Sequence, residues 1–380
     1  MGLIKTNIGV DATRNRSGGA VAHIKGIISN CEHDKYGINK VIIWGYKNLL
    51  DQLPNHEWLI KIEPECTKKS IVSQLWWQFY YLPKEARQFG CDVLFNTDAG
   101  TVCTFTPCVT LSQDMLSFEK GEMDRYWFGK SWLRLFLLKY VQLSSLKRSS
   151  VALFLTDYAR KTIEACTKGF ENTCVINHGI NELFLTVEEP RLPINESPIR
   201  IVYISNTAMY KHQWHVVKVV KELNVRGVKS DLLLVGGGQG KAQDLLNKAI
   251  EQFDPENHFV TQLPFLANDE IPKILANSHI FLFASSCENM PITLMEGMAS
   301  GLPIACSNRG PMPEVLQDTG IYFDPEVPRS IFDALLAIIE QGNLGIDRTR
   351  GSKLLAEKYT WKRCSNKTWE LLSQVSKNSK

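Results

Sequence analysis

The sequence has no run of about 18 apolar residues, the length that a membrane-spanning helix needs. Its first 19 residues lack the apolar core of a signal peptide, so we expect a cytoplasmic protein. The ten cysteines form no C-x-x-C pair and no metal-ligand spacing, which predicts buried thiols in a reducing compartment. No Asp-x-Asp motif follows an apolar run, so we expect neither a bound metal nor a resident cofactor.

The chain also lacks a charge excess and a dinucleotide-binding motif. Its 43 Lys and Arg face 40 Asp and Glu, a net charge of +3, and neither half is basic. This balance gives no support for a nucleic-acid partner. The G-x-G-x-x-G pattern of dinucleotide-binding folds is absent.

Length and composition predict two domains. The 380 residues exceed the roughly 250–300 at which single cores stop growing. The polar segment 188–198, EEPRLPINESP, holds three prolines and is the best boundary in the chain. We therefore predict a first domain over 1–187, a linker over 188–198, a second domain over 199–359 and a C-terminal helix over 360–380.

Short apolar runs alternate with helical patterns in both halves. Ile8 to Asp11 predicts the first strand and is followed by a Gly18-Gly19 turn and a helix. In the second half, the segments Ile199 to Ser205 and Asp231 to Val235 predict strands separated by a helix. Such alternation indicates an α/β protein with doubly wound parallel sheets.

One stretch of the second half carries two carboxylates at a helix start. Residues 281–314 read FLFASSCENMPITLMEGMASGLPIACSNRGPMPE: a buried strand, a loop with Glu288, a helix from Pro291 to Ala299 and a second strand. Glu296 lies inside that helix, with seven residues between it and Glu288. Helix N-terminal N–H groups favour anions, and a carboxylate accepts hydrogen bonds from a vicinal diol, so the stretch suits a sugar or a ribose. The alternative is that Glu288 caps the helix and Glu296 is solvated.

This stretch resembles the nucleotide-sugar site of the retaining glycosyltransferases of family 4. The resemblance covers both Glu residues, Pro291, the run Glu296-Gly297-Met298-Ala299, Gly301-Leu302-Pro303 and Gly310-Pro311. It implies the GT-B fold, in which two Rossmann-like doubly wound domains face a cleft. It also implies that the last helix returns to the first domain.

The resemblance implies roles for residues of the second domain. Glu288 would contact the donor sugar, Glu296 the ribose hydroxyls and Lys211 the diphosphate, with Glu288 and Lys211 as the catalytic residues. The family usually has an Arg five residues before that lysine, where this chain has Asn206. The full predicted donor-binding set is Glu296, Asn206, Gly237, Asn289, Met290, Pro291, Ile292, Gly18 and Gly19.

The acceptor side is less well marked. Many relatives carry a His where this chain reads Ser112-Gln113-Asp114, so a catalytic role for Asp114 is weakly supported. His178 precedes Gly179 in a turn that resembles one at the end of the family's first domain. It could contact ligand or brace a hinge. His23 we expect to be structural.

Two segments of the first domain are rich in aromatic residues, 75–81 (LWWQFYY) and 126–141. Residues 125–156 hold Arg125, Lys130, Arg134, Lys139, Lys147 and Arg148 and no Asp or Glu. An aromatic, basic helix can lie on an anionic membrane. Against this, the apolar residues of 133–141 lie nearly all round the helix, which favours burial with the charges reaching outward.

The resemblance implies transfer of a sugar, with retention of configuration, from a nucleotide donor to a glycan hydroxyl. The segments YISNTAMYKHQ and LTDYARKTI are most similar to bacterial enzymes of surface-polysaccharide and O-antigen assembly. GDP-mannose is the first expected donor and a UDP-sugar the second, with a lipid-linked or growing glycan as acceptor. A nucleotide-sugar epimerase, a starch- or sucrose-type synthase and a non-catalytic nucleotide-sugar-binding protein remain alternatives.

Overall fold

The computed structural model describes residues 5–126, 129–186, 198–341 and 346–378. The chain forms two compact units, one of Met1–Gly179 with Thr360–Lys380 and one of Ile180–Tyr359. Residues 188–197 of the predicted linker, and Val187 before them, lie outside the described residues. Residues 180–186 belong to the second unit, earlier than the predicted boundary, because the Ile180 N–H donates to the Tyr359 carbonyl at 3.0 Å and the helix that follows contacts the second unit.

The first unit is built on a parallel sheet of seven strands within the described residues, in the order β3-β2-β1-β4-β5-β6-β7. The strands are β1 (Thr6–Ala12), β2 (Ile38–Gly45), β3 (Leu59–Ile62), β4 (Val93–Asn96), β5 (Cys108–Leu111), β6 (Val151–Phe154) and β7 (Thr173–Val175). The central strands are buried along nearly their whole length, because helices cover both faces of such a sheet. The edge strand β3 was not predicted, because its four residues include a lysine and show no apolar run.

Helices connect these strands. They are α1 (Gly18–Ser29), α2 (Lys47–Leu50), α3 (Ile71–Tyr80), α4 (Leu82–Gln88), α5 (Lys130–Arg148), α6 (Asp157–Glu164) and, from the C-terminus, α15 (Trp361–Asn378). Helix α15 packs on α1. Gly26 makes this contact close, since a Cβ there would lie 2.2 Å from the Trp361 ring, and the Trp369 indole N–H donates to the Ile27 carbonyl at 2.9 Å.

Helix α5 differs from the prediction of burial. Leu133, Leu137 and Tyr140 are 53%, 56% and 58% exposed, while Leu135 and Leu146 are buried. The spacing of the three exposed residues places them on one stripe of the helix. The apolar pattern that runs all round the helix therefore reflects one face packed on the unit and a second face in solvent.

The second unit contains a parallel sheet of six strands in its described residues, in the order β10-β9-β8-β11-β12-β13. The strands are β8 (Ile199–Ile204), β9 (Ser230–Val235), β10 (Val260–Leu263), β11 (Ile280–Phe283), β12 (Ile304–Ser307) and β13 (Ile321–Phe323). The helices are α7 (Glu182–Leu185), α8 (Gln213–Val225), α9 (Lys241–Phe253), α10 (Ile271–Ala276), α11 (Ile292–Ala299), α12 (Met312–Leu316), α13 (Pro328–Gln341) and α14 (Ile346–Ala356). Two doubly wound, Rossmann-like parallel sheets were predicted, and this part of the prediction is confirmed.

Candidate functional site

The carboxyl ends of β8 and β11 form the centre of the candidate site. These strands are neighbours in the second sheet, so the loops that follow them meet at one edge. The first loop carries Lys211 and the second carries Glu288. The Lys211 ammonium donates to the Glu288 carboxylate in an ion pair whose side chains are 8% and 16% exposed. The sequence predicted both residues for the site but not their direct contact.

Aromatic rings form the remaining surroundings of the lysine. Its Nζ lies 5.1 Å from the centroid of the Phe283 ring and 5.3 Å from that of Tyr210. Ring faces attract cations but do not neutralise them, so Glu288 is the close counter-charge. The Tyr203 hydroxyl donates to the Lys211 carbonyl at 2.8 Å and holds the backbone of this loop on the strand edge. The lysine is thus a fixed cation rather than a mobile surface charge.

A histidine joins the two loops. His212 has backbone angles of φ 49° and ψ 28°, the left-handed region that side chains rarely adopt. Its buried imidazole Nε2 lies 2.9 Å from the Ser286 Oγ. Ser286 also donates its backbone N–H to the Tyr210 carbonyl at 2.8 Å. The Lys211 loop and the Glu288 loop are therefore held together on both sides of the ion pair.

Glu296 lies in α11. It is buried, not solvated as the alternative interpretation of the sequence expected. Its residue is 4% exposed, and the Asn268 amide donates to its Oε1 at 3.2 Å. Burial raises the pKa of this carboxyl to about 7, while the Asn268 hydrogen bond acts in the opposite direction. A carboxylate has about four acceptor positions, so beside the Asn268 hydrogen bond Glu296 retains acceptor capacity for further hydroxyl groups.

The start of α11 lies immediately after Glu288. The helix begins at Ile292, one residue later than predicted, with Pro291 as its extended N-cap residue. Asn289, Met290 and Pro291 are buried and Ile292 is partly exposed. Gly297 lets the helix lie against β11, since a Cβ there would meet the Phe281 ring at 2.6 Å.

Two further predicted positions belong to neighbouring loops. Asn206 is exposed at the end of β8, where the family resemblance expects an Arg. Gly237 is exposed too, and its carbonyl accepts the Thr207 N–H at 3.2 Å. Its two neighbours are the positions that need glycine: a Cβ on Gly236 would lie 2.5 Å from the Ser205 carbonyl oxygen, and one on Gly238 2.6 Å from the Thr207 Cβ. The backbone of this glycine turn therefore lies close against the β8 loop.

The other predicted residues lie in the first unit. Gly18 and Gly19 are exposed in the first turn of α1, and Gly18 has a φ of +62° with open space around it. Asp114 is half-buried after β5, and its Oδ1 accepts the Leu116 N–H at 2.9 Å. Burial raises the pKa of the Asp114 carboxyl, and the neighbouring Asp98 adds to this rise.

His178 is 3% exposed, and its Nδ1 lies 3.1 Å from the Nδ1 of His23. Its ring also lies 5.7 Å from that of Trp361, at the start of α15. Burial lowers the pKa of both imidazoles. These contacts favour a bracing role for His178 over contact with a ligand.

Three residues of the second-unit site were not identified from the sequence: Asn268, His212 and Ser286. Asn268 lies in the loop after β10, distant in sequence from its partner Glu296, so no spacing could indicate it. His212 follows the predicted lysine directly, but nothing in its neighbours reveals a left-handed backbone. Among the described residues, no group of three or more His, Cys, Asp or Glu could hold a metal ion.

Comparison with a protein-family model gives a match over the second unit. Residues 186–350 match the family described as glycosyl transferases group 1, and this segment includes Lys211, Glu288 and Glu296. An O-antigen chain mannosyltransferase B of Escherichia coli is 25% identical over 136 residues, 36% of this chain and 35% of that protein. An amylovoran biosynthesis glycosyltransferase of Erwinia amylovora is 28% identical over 156 residues, 39% and 38%. The matched segment spans less than two fifths of each of these relatives.

Solved structures match almost the whole chain. A sucrose-phosphate synthase from Thermosynechococcus elongatus has a TM-score of 0.79 at 13% identity, over 98% of this chain and 100% of that one. HepE of Anabaena in complex with UDP and glucose has a TM-score of 0.72 at 17% identity, over 96% and 99%. At these identities the likeness shows the fold, which is that of the GT-B glycosyltransferases.

Proposed function

We propose that the protein is a retaining glycosyltransferase of family 4 that transfers a sugar from a nucleotide donor to a glycan hydroxyl. One observation carries the proposal. Within the matched segment, the Lys211–Glu288 ion pair lies just before α11, and the buried Glu296 lies within that helix. A cation for a diphosphate, a carboxylate for a sugar and a carboxylate for a ribose are the three groups that a nucleotide-sugar site needs.

The ion pair supplies a mechanism for donor binding. A diphosphate beside Lys211 would compete with Glu288 for the ammonium group, which frees the Glu288 carboxylate to accept hydrogen bonds from the sugar. The negative charge on the leaving diphosphate grows in the transition state, so Lys211 stabilises the transition state more than the bound donor. The Glu288 charge would at the same time stabilise positive charge at the anomeric carbon.

In the proposed retaining step, no side chain of the enzyme acts as a nucleophile. The bond from the anomeric carbon to the diphosphate oxygen breaks, and the acceptor oxygen attacks from the same face. The departing phosphate oxygen takes the acceptor proton, so a nucleoside diphosphate and one glycoside are formed. The Lys211 ammonium group neutralises part of the negative charge on the departing diphosphate, and the proposed step requires no metal ion.

The donor is proposed as GDP-mannose first and a UDP-sugar second. The name of the E. coli relative, a mannosyltransferase, supports mannose, and the UDP bound in HepE supports the alternative base. The names of the O-antigen and amylovoran relatives support a surface-polysaccharide acceptor, which would be a lipid-linked or growing glycan. The sucrose-phosphate synthase supports only the fold.

A lipid-linked acceptor would require contact with the cytoplasmic face of a membrane, and α5 has the features for it. No helix among the described residues is long and apolar enough to cross a bilayer. The exposed stripe of Leu133, Leu137 and Tyr140 lies on a helix whose charged residues are all basic. We therefore propose a cytoplasmic protein that associates with anionic lipid through α5.

A non-catalytic nucleotide-sugar-binding protein is the second candidate, because Asn206 stands where the family has an Arg. A nucleotide-sugar epimerase would share the donor site and need no acceptor. The test is a thermal-shift panel of nucleotide sugars, followed by release of nucleoside diphosphate with and without a lipid extract. Release that requires the extract supports transfer. Binding without release in any extract indicates the binder, and a changed donor sugar without acceptor indicates the epimerase.

A further inference from the structure

Helix α3 presents its apolar side chains to solvent. Val72, Trp76 and Phe79 are 71%, 57% and 46% exposed, and Ile71 and Tyr80 are exposed beside them. The Trp76 and Tyr80 rings are in contact, with centroids 4.2 Å apart, so the aromatic residues form one continuous surface. Scattered exposed apolar residues are ordinary, but a contiguous aromatic patch marks an interaction site.

The opposite face of the same helix is buried and carries Trp77, which packs in the core, and two glutamines that are held by hydrogen bonds. The Gln78 amide donates to the Asp11 Oδ2 at 2.7 Å, and the Gln74 amide donates to the Tyr46 hydroxyl at 2.5 Å. Both glutamines are at most 1% exposed. These hydrogen bonds fix the rotation of the helix, so the aromatic face cannot turn inward without leaving buried polar groups unsatisfied.

Charge around α3 points to the partner. Three lysines flank the helix: Lys68, which is paired with Glu65 and Glu63, and Lys69 and Lys84. Lys69 and Lys84 are exposed on either side of the helix. Trp and Tyr beside basic residues are typical of the boundary between lipid headgroups and acyl chains, where the rings are buried and the positive charges meet anionic lipid.

We propose that the exposed face of α3 inserts into the headgroup–acyl boundary of a lipid bilayer. The occupant is a lipid surface, and burial of the aromatic rings supplies most of the contact, with Lys69 and Lys84 beside them. This contact explains the exposure of the aromatic side chains. Binding by α3 is a property of the surface itself, so it does not depend on the donor, the acceptor or transfer.

The experiment is sedimentation of the full chain with vesicles of phosphatidylglycerol and phosphatidylcholine at low and high salt. Val72→Ser/Trp76→Ser should lower the partition coefficient at least about tenfold at both salt concentrations, since apolar burial is not screened. The matched control is Val225→Ser/Leu354→Ser, two exposed apolar positions of the second unit, and it should bind as the wild type does. Equal melting temperatures establish that all proteins are folded.

A second measurement places the side chain in the lipid. Brominated acyl chains should quench part of the tryptophan fluorescence, and Trp76→Phe should retain binding while losing that part. Wild-type affinity in Val72→Ser/Trp76→Ser would overturn the proposal. So would self-association of the wild type without lipid that the same variant abolishes, because the face would then bind a second copy of the chain.

An independent observation assigns a role to His212. A side chain in left-handed backbone is strained, and such strain persists where the surroundings over-determine it. Here the surroundings are the 2.9 Å contact with Ser286 and stacking on His215, with ring centroids 5.6 Å apart. We infer that His212 is a positioning residue that holds the Lys211 loop against the Glu288 loop.

The test uses the fact that glycine removes both the strain and the imidazole. His212→Gly should melt at the wild-type temperature or above it, while kcat for the proposed transfer falls about tenfold and the donor KM changes little. His212→Asn, which tolerates the left-handed region, should rescue part of kcat, and Ser286→Ala should not add to the effect of His212→Gly.

This inference rests on the proposed function, and the two fail differently. A wild type that binds no nucleotide sugar refutes the function. The positioning role can also be tested by NMR without any transfer assay. In protein labelled with 15N-lysine, the signal of the Lys211 ammonium group should broaden or shift in His212→Gly. An unchanged Lys211 signal, or an unchanged kcat in an active enzyme, contradicts the positioning role.

Discussion

The raised pKa of Glu296 makes the affinity for a nucleotide sugar depend on pH. The ionised carboxylate can accept hydrogen bonds from both ribose hydroxyls, whereas the protonated form loses one acceptor. With a pKa of about 7, the ionised fraction rises from about 0.1 at pH 6 to about 0.9 at pH 8. If only the ionised form binds well, the affinity should rise about tenfold over this range.

The assay is isothermal titration of the nucleotide sugar at pH 6, 7 and 8, because its diphosphate does not titrate in this range. Glu296→Gln should bind about 10- to 150-fold more weakly at pH 8, the equivalent of roughly 1.5–3 kcal/mol, and show a flat pH profile. Asn268→Ala should move the midpoint to higher pH, since its N–H stabilises the charged form. A wild-type profile as flat as that of Glu296→Gln would refute the reasoning.

The same group affects the stability of the free protein. Its folded pKa lies above the ordinary 4.5, so the native state binds more protons than the unfolded state between pH 4.5 and about 7. Stability from this group therefore falls as the pH rises through that window. Glu296→Gln should remove this part of the pH dependence of the melting temperature.

Three further predictions concern the ion pair and α5. Glu288→Gln should lower kcat by about 10- to 1,000-fold with nucleotide affinity near wild type, and full transfer activity would show that the carboxylate only braces the loop. Lys211→Ala should lower kcat more than it raises KM; if only KM moves, the lysine is a ground-state anchor. Arg134→Gln/Lys139→Gln should weaken binding to anionic vesicles at low salt and leave binding at high salt unchanged, and an equal loss under both conditions would contradict the electrostatic role of α5.

The parallel sheets were predictable because their strands are buried on both faces and stand out as short apolar runs. Ile199 to Ser205 predicted β8 to within one residue, and Asp231 to Val235 predicted β9 to within one residue. The edge strand β3 (Leu59–Ile62) was not predicted from the sequence, because a strand at the edge of a sheet needs fewer apolar residues. The site roles are predictions from the family resemblance; the sequence pattern itself predicted only that Glu288 precedes and Glu296 lies within one helix, as the structure has them.

What the sequence could not provide were contacts between distant segments. The Lys211–Glu288 pair joins residues 77 positions apart, and the Asn268–Glu296 bond joins residues 28 apart. Both depend on which strands are neighbours in the sheet. The orientation of α3 and α5 was equally hidden, because an apolar pattern does not say which apolar face is packed. In α3 the answer depends on two glutamines and their partners Asp11 and Tyr46.

The most direct test of the account is the product formed by the wild-type chain from a panel of nucleotide sugars, GDP-mannose first, with lipid extract as acceptor. Proton NMR of the product reads its anomeric configuration, and a coupled assay reads the nucleoside diphosphate released. The account predicts one donor that yields diphosphate and glycoside in equal amounts with the donor's configuration retained, and a large loss of both in Lys211→Ala and Glu288→Gln. An inverted product, or full activity in both variants, would contradict it.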